Sequence, residues 1–344
     1  MDTKILAVGN LSTEEATYAQ AVQLLESGEV VAFPTETVYG LGAVATNEKA
    51  VAKIFEAKGR PQDNPLIVHI GSNEEIHEFI SDIPKIAQKC MDSFWPGPLT
   101  LILPLKPGIL ANNVSAGLNT VGVRMPNHPV ALKLLRQLKH PVAAPSANRS
   151  GKPSPTKANH VLHDLNGRIP SIIDGGVTGM GLESTVLDCT SEIPTILRPG
   201  GVTKEMLEQV IGPVNEAKLT DRAEAPRAPG MKYAHYAPNA PVFLIDASLN
   251  SIRKAIESIH REQKKAALIA TEQFELPEAD YYFTLGSDGQ TDEAAHLLYQ
   301  ALRSCDDTDA DIVIVPVFPK TGVGAAIMNR LEKAANGKWY LEND

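Results

Sequence analysis

The chain has 344 residues, 43% of them apolar and 21% charged, a globular balance that excludes a disordered chain and is long enough for two domains. Lys and Arg number 32 against 41 Asp and Glu, and this net charge of −9 does not advertise a nucleic-acid or membrane binder. Cys90, Cys189 and Cys305 are few and far apart, which argues against a disulfide framework or a zinc knuckle. With no leader-like start and no membrane-length apolar run, a cytoplasmic protein is expected.

In chain order, Ser12 and Glu15 form a capping-box pattern for a first helix that ends at Gly28. A strand, VVAFP, follows, and then the polar run TETVYGLG. Asn47 is placed to cap the next helix, whose Val51, Ile54 and Phe55 share one face. That helix ends at Gly59, so Lys58 and Arg60 emerge at its terminus, just before Pro61. Short apolar runs then recur as PLIVHI, LTLILPL, TVGVRMP, PVAAPSAN, SIIDGG, STVLD and TILRPG, with helices around 73–91, 129–139, 156–164 and 203–211. This order predicts an α/β fold with a large, twisted, mixed-sheet domain over 1–212. Residues 213–241, rich in Pro, Ala and charge, read as a linker. Over 242–344, VFLID, AALIA, YYFTL and DIVIVPV alternate with helices near 249–264, 291–304 and 322–335, the pattern of a small Rossmann-like α/β domain.

The net charge hides a local excess. Arg124 to Arg168 holds eight basic residues and one acid, Asp164, a sum of +7. The segment reads either as a solvated face or as a cleft for polyanions such as nucleotide phosphates.

Several familiar chemistries fail. No G-x-x-x-x-G-K-[ST] occurs, and DGGVTGMGLES runs into a strand, not into the helix that a dinucleotide fingerprint needs. TGVGAAIMNRL does open a helix, but too close to the end of the sequence for a following strand to present a ribose acid. Cys90 lies in a helical run beside Met91 and Cys189 ends a strand, and the histidines, including His160 and His163, lack metal-ligand spacing, so thiol and zinc chemistry are not expected. What remains is a set of polar loops at strand and helix ends: TETVYGLG, KGRPQDNPL, APSANRSGKPSPT, GLESTVLD and LRPGG. They gather hydroxyls, amides and proline-stiffened cations, a composition suited to holding anionic ligands.

In combination and order, PTETVYGLG, KGRPQDNPL, TVGVRMP, APSANRSGKPSPT, GLESTVLD and LRPGG resemble the YrdC-like family, the threonylcarbamoyl-AMP synthases of tRNA modification. The stretch APGMKYAHYAPNAPV and the carboxy-terminal unit resemble the longer, two-domain version. The resemblance implies that L-threonine, bicarbonate and ATP give threonylcarbamoyl-AMP and pyrophosphate, with Mg2+ on the phosphates. A separate transferase complex would then modify adenosine 37 of tRNAs reading codons that begin with A, so tRNA itself would be bound only indirectly or weakly. The implied phosphate-holding residues are Lys58, Arg60 and Arg198, the first two also as catalytic groups. Asn64, Thr120, Ser146, Asn148, Ser154 and Tyr236 are implied as further ATP contacts, with Tyr236 and His235 forming a lid. The implied threonine pocket draws on Thr35, Tyr39, His69, Arg124, Ser184 and the backbone of Ala144, with Arg124 on the substrate carboxylate.

Two other readings compete. A non-enzymatic RNA-binding module would use the +7 segment, but that segment contains no Phe, Tyr or Trp on which bases stack. A carbamoyl-transfer domain of the hydrogenase-maturation type would share the fold, but the zinc-binding cysteines expected of that larger protein are missing from the sequence.

Overall fold

The computed structural model describes residues 2–9, 14–217 and 236–340; Ser12 of the expected first cap and His235 of the expected lid lie outside them. The chain divides into two compact units. One gathers the described residues within 1–150, 155–179 and 183–232, the other those within 151–154, 180–182 and 233–344.

The first unit begins with β1 (Lys4–Ala7), α1 (Glu14–Glu26), β2 (Val31–Phe33), β3 (Gly40–Val44), α2 (Glu48–Lys58) and β4 (Ile67–His69). It continues with α3 (Ile76–Phe79), α4 (Lys85–Phe94), β5 (Leu99–Pro104), α5 (Asn112–Ser115), β6 (Thr120–Arg124), α6 (Pro129–Leu138) and β7 (Val142–Ala143). Then come α7 (Ala158–Leu165), β8 (Ser171–Asp174), β9 (Thr185–Asp188), β10 (Thr195–Arg198), α8 (Lys204–Ile211) and β11 (Asn215–Glu216). The strands form one mixed sheet in the order β1-β8-β2-β3-β7-β4-β6-β5-β9-β10-β11. The α/β class with a large mixed sheet is thus what the sequence pattern predicts.

Both faces of the central strands are packed. Val31 and Phe33 of β2 join Tyr18, Ala21 and Leu25 of α1 and Leu134, Leu135 and Leu138 of α6 in one core. Ala32 points the other way, into a core with Leu41 and Ala43 of β3 and Val51, Ile54 and Phe55 of α2. Each Leu, Ile or Phe side chain buried this way contributes about 1.5–3 kcal/mol.

Two details differ from the sequence reading. The helix expected over 73–91 is two helices, because Pro84 stands just before α4 and a proline ring is not accommodated inside a helix. The polar run TETVYGLG ends in a fully buried strand, β3. Its Gly42 has a packing cause: a Cβ there would lie 2.7 Å from both a Phe33 ring carbon and Val142 Cγ1.

The second unit contains β12 (Val242–Ile245), α9 (Leu249–Arg261), β13 (Ala266–Ala270), β14 (Tyr281–Thr284), α10 (Thr291–Ser304), β15 (Ile312–Pro316) and α11 (Val323–Ala334). Its sheet, β12-β15-β13-β14, is parallel throughout, as a Rossmann-like pattern requires. Ile252, Ala255, Ile256 and Ile259 of α9 cover one face with Leu268 and Ile314 beneath them. No described helix is long and apolar enough to cross a membrane.

Candidate active site

Three side-chain clusters form within the first unit. The first begins at α2. Asn47 caps it, accepting from the Ala50 amide at 3.1 Å, and Gly59 closes it with a φ of 63°. Lys58 is therefore the last helical residue. Its ammonium, 2% exposed, donates to the carbonyls of Ser146 at 2.5 Å and Asn148 at 2.6 Å, and to Asn148 Oδ1 at 3.5 Å. Ser146 Oγ donates to Asn148 Oδ1, and the Ser150 amide returns a bond to the Lys58 carbonyl. The PSAN loop is thereby stitched to the helix end. Burial pushes the Lys58 pKa well below the usual lysine range, reinforced by Arg60 and Arg149 and opposed by Asp164 and Glu183.

Arg60, 9% exposed, donates from Nη2 to the carbonyls of Asn64 and Pro65 at 3.4 and 3.2 Å. Asn64 is buried, and neither end of its side-chain amide has a hydrogen-bond partner among the described residues. A buried amide in that state costs free energy, and a ligand that pairs with it recovers the loss.

The second cluster lies where the β2–β3 hairpin meets β6. Thr35 Oγ1 accepts from the amides of Thr37 and Val38 and donates to the Val38 carbonyl at 2.6 Å, so it shapes the turn by local side-chain bonding. Arg124 ends β6, where it pairs in register with His69 of β4. Its Nη1 donates to Thr37 Oγ1 at 3.0 Å, its Nε to the Gly97 carbonyl at 3.2 Å, and its Nη2 lies 2.6 Å from Glu36 Oε2. Burial, with the Arg124 charge added, lowers the His69 pKa to about 3, so this imidazole is neutral at physiological pH.

The third cluster joins β5, β9 and β10. Arg198 donates from Nε and Nη2 to the Ser184 carbonyl at 3.1 and 3.0 Å, and from Nη2 to Ser184 Oγ at 3.2 Å. Ser184 Oγ also lies 2.8 Å from Thr100 Oγ1. The following RPGG turn packs tightly here: a Cβ on Gly200 would stand 2.2 Å from the Thr185 nitrogen.

The remaining sequence candidates are placed as follows. The Tyr39 hydroxyl donates to the Gly176 carbonyl at 2.7 Å and accepts from the Gly175 amide, and burial raises its pKa. Ala144 is buried with its amide bonded to the Ile67 carbonyl. Thr120 sits at the opposite end of β6 from Arg124, opposite Pro104 of β5. Ser154 is fully buried and belongs to the second unit, as does Tyr236. There the Tyr236 ring packs 5.3 Å from the ring of Tyr299, with the Arg330 guanidinium 5.9 Å from its centre.

Cations of the +7 segment take separate partners. Lys133 pairs with Glu14 and Glu15, Arg136 donates to the Gly71 carbonyl, and Lys152 pairs with Asp306 in the second unit. Its lone acid carries the useful signal. The Asp164 carboxylate, 2% exposed, accepts from the Arg149 amide at 3.2 Å, behind the PSAN loop. Glu36, Thr37, Thr100 and Asp164 all join the clusters without having been singled out as site residues in the sequence.

Lys58, Arg60, Arg124 and Arg198 are each at most 9% exposed within one unit. The thiols offer no rival chemistry, since burial raises Cys90 to about 11 and Cys305 to about 12, and Cys189 further. The fold and clusters therefore define an α/β protein that buries four cations among carbonyls, hydroxyls and amides.

Comparison with known proteins narrows that class. A family model described as Telomere recombination matches residues 23–200, and one described as Threonylcarbamoyl-AMP synthase, C-terminal domain, matches residues 202–336. A threonylcarbamoyl-AMP synthase of Bacillus subtilis is 54% identical over 330 residues, covering 95% of each chain. One of Pyrococcus abyssi is 47% identical over 321 residues, 92% of this chain and 93% of that one. The crystal structure of P. abyssi Sua5 complexed with L-threonine superposes with a TM-score of 0.92 at 45% identity, covering 98% of this chain and 99% of that chain. The chain belongs to the threonylcarbamoyl-AMP synthase family, in its two-domain Sua5 form.

Proposed function

We infer that the chain joins L-threonine, bicarbonate and ATP into threonylcarbamoyl-AMP, the adenylate that serves threonylcarbamoyl modification of tRNA, with release of pyrophosphate and, as bicarbonate gives up carbon dioxide to the amine, of water. The observation that carries this reading is the 0.92 superposition, over 98% of the chain, on a solved Sua5 that holds L-threonine. The family assignment disfavours a stand-alone RNA-binding module.

The chemistry suits the residues. The amine of threonine captures carbon dioxide as a carbamate, and a carbamate oxygen attacks the α-phosphorus as pyrophosphate leaves. That step asks for alignment and charge neutralisation, not for a strong nucleophile on the protein. In this reading Lys58, Arg60 and Arg198 hold phosphate oxygens, with Lys58 and Arg60 nearest the reacting phosphorus. Asn64, Ser146, Asn148 and Thr120 complete the nucleotide contacts from the first unit. Arg124 binds the threonine carboxylate, Thr35, His69 and Ser184 surround its polar groups, and Ala144 contributes backbone. Tyr39 holds the 174–176 turn beside them. What supports these roles, that of Thr120 apart, is burial, the hydrogen bonds above, and the unpartnered Asn64 amide; Thr120 is carried by the family resemblance alone.

Among the described residues no group of three or more His, Cys, Asp or Glu side chains is disposed to hold a metal ion. Mg2+ in this reading comes with the nucleotide, liganded chiefly by phosphate oxygens and water, and neutralises phosphate charge. The product passes to a separate transferase complex, and tRNA is bound only indirectly or weakly. The test is incubation with labelled bicarbonate, ATP and L-threonine, followed by mass spectrometry. The label should appear in threonylcarbamoyl-AMP, and a labelled product lacking threonine would refute the reading.

A further inference from the structure

The Arg124–Glu36 pair carries more than the carboxylate-binding role given to Arg124. The two side chains stand 2.6 Å apart and are 5% and 15% exposed. A guanidinium has five N–H donors in a fixed fork. One is engaged by the Gly97 carbonyl, one by Thr37 Oγ1 and one faces Glu36, which leaves two for a ligand. On the other side of the pair, Glu36 Oε1 is a buried oxygen with no hydrogen-bond partner among the described residues. His69 adds no charge here, being neutral above about pH 3.

The spot therefore sums to zero charge, with a cation and an anion side by side and a vacant bonding direction on each. An α-amino acid has the matching pattern: its carboxylate and its ammonium are held by one carbon. Laid antiparallel to the ion pair, it meets an opposite charge at both ends. A carboxylic acid without the amine would reach Arg124 only against repulsion from Glu36.

We propose that Glu36 holds the α-ammonium of L-threonine, so that the Glu36–Arg124 pair together recognises the zwitterion. The proposal rests on Arg124 receiving the substrate carboxylate. It assigns selectivity for the amine, the group that must become the carbamate, to a residue of the TETVYG turn.

The test is calorimetric binding of L-threonine and of its deaminated analogue, the 2,3-dihydroxybutanoate of the same configuration, to the full chain. The wild type is expected to bind the analogue about ten- to a hundredfold more weakly, the worth of a charged hydrogen bond. In Glu36→Gln that preference should collapse, with threonine weakened and the analogue bound as well as before or better. Arg124→Lys should weaken both ligands together, because a lysine lacks the bidentate fork. Equal binding of the two ligands by the wild type overturns the proposal, and that result does not depend on any variant folding. A folded Glu36→Gln protein that keeps the wild-type preference also overturns it. Unchanged affinities in Arg124→Lys would instead overturn the carboxylate role of Arg124.

Discussion

Replacing Lys58 by methionine tests whether its buried ammonium both holds a loop and meets a phosphate. Two short bonds, at 2.5 and 2.6 Å, run from Nζ to the carbonyls of Ser146 and Asn148. Methionine fills most of the volume and satisfies neither oxygen. Each carbonyl left without a partner costs about 1–3 kcal/mol, partly offset because a desolvated charge disappears as well. A net loss of about 2–4 kcal/mol is expected, or a melting point lower by about 5–15 °C for a unit of this size. Activity should fall further than stability explains, by about a hundredfold in kcat/KM for ATP at a temperature where the variant is folded. Calorimetric melting and a pyrophosphate-release assay at saturating L-threonine measure the two effects. A variant that melts and turns over like the wild type would refute the reasoning. Loss of stability with kcat/KM intact would leave Lys58 as a loop anchor only.

Three further outcomes follow from the same geometry. His69 has a folded pKa of about 3 against 6.5 when exposed, so between those values only the unfolded chain binds the proton. Its contribution to stability is present above pH 6.5 and lost as pH falls towards 3; denaturant titrations should show a flatter pH dependence in His69→Gln, and parallel curves would contradict this. Tyr39→Phe removes the donor to the Gly176 carbonyl and should cost about 1 kcal/mol, read as a melting shift of a few degrees, whereas an unshifted melt would count against that bond. Gly200→Ala forces a methyl to within 2.2 Å of the Thr185 nitrogen, and the cost should exceed about 3 kcal/mol, so a wild-type melt would mean that the turn is less tightly packed.

The parts of the fold legible in sequence were those set by local chemistry. Asn47 and Gly59 bracket α2 in the structure as their cap preferences predict, and that bracket brings Lys58 to the PSAN loop. The parts that escaped depend on distant partners. β3 is hidden in the polar run TETVYGLG because the demand for Gly42 comes jointly from Phe33 and the distant Val142. Glu36 is one polar residue of that run in sequence, and its partner, Arg124, stands far along the chain. Gly151–Ser154 show the limit most plainly: contiguous with a first-unit loop in sequence, they pack with the second unit, where Lys152 pairs with Asp306.

Pyrophosphate release by the purified chain, with ATP, bicarbonate and Mg2+ present and L-threonine either added or withheld, tests the central claim most directly. Release is predicted to require threonine, because the carbamate that attacks the α-phosphorus is built on its amine. Equal release without threonine, or no release with every substrate present, would contradict the synthase reading.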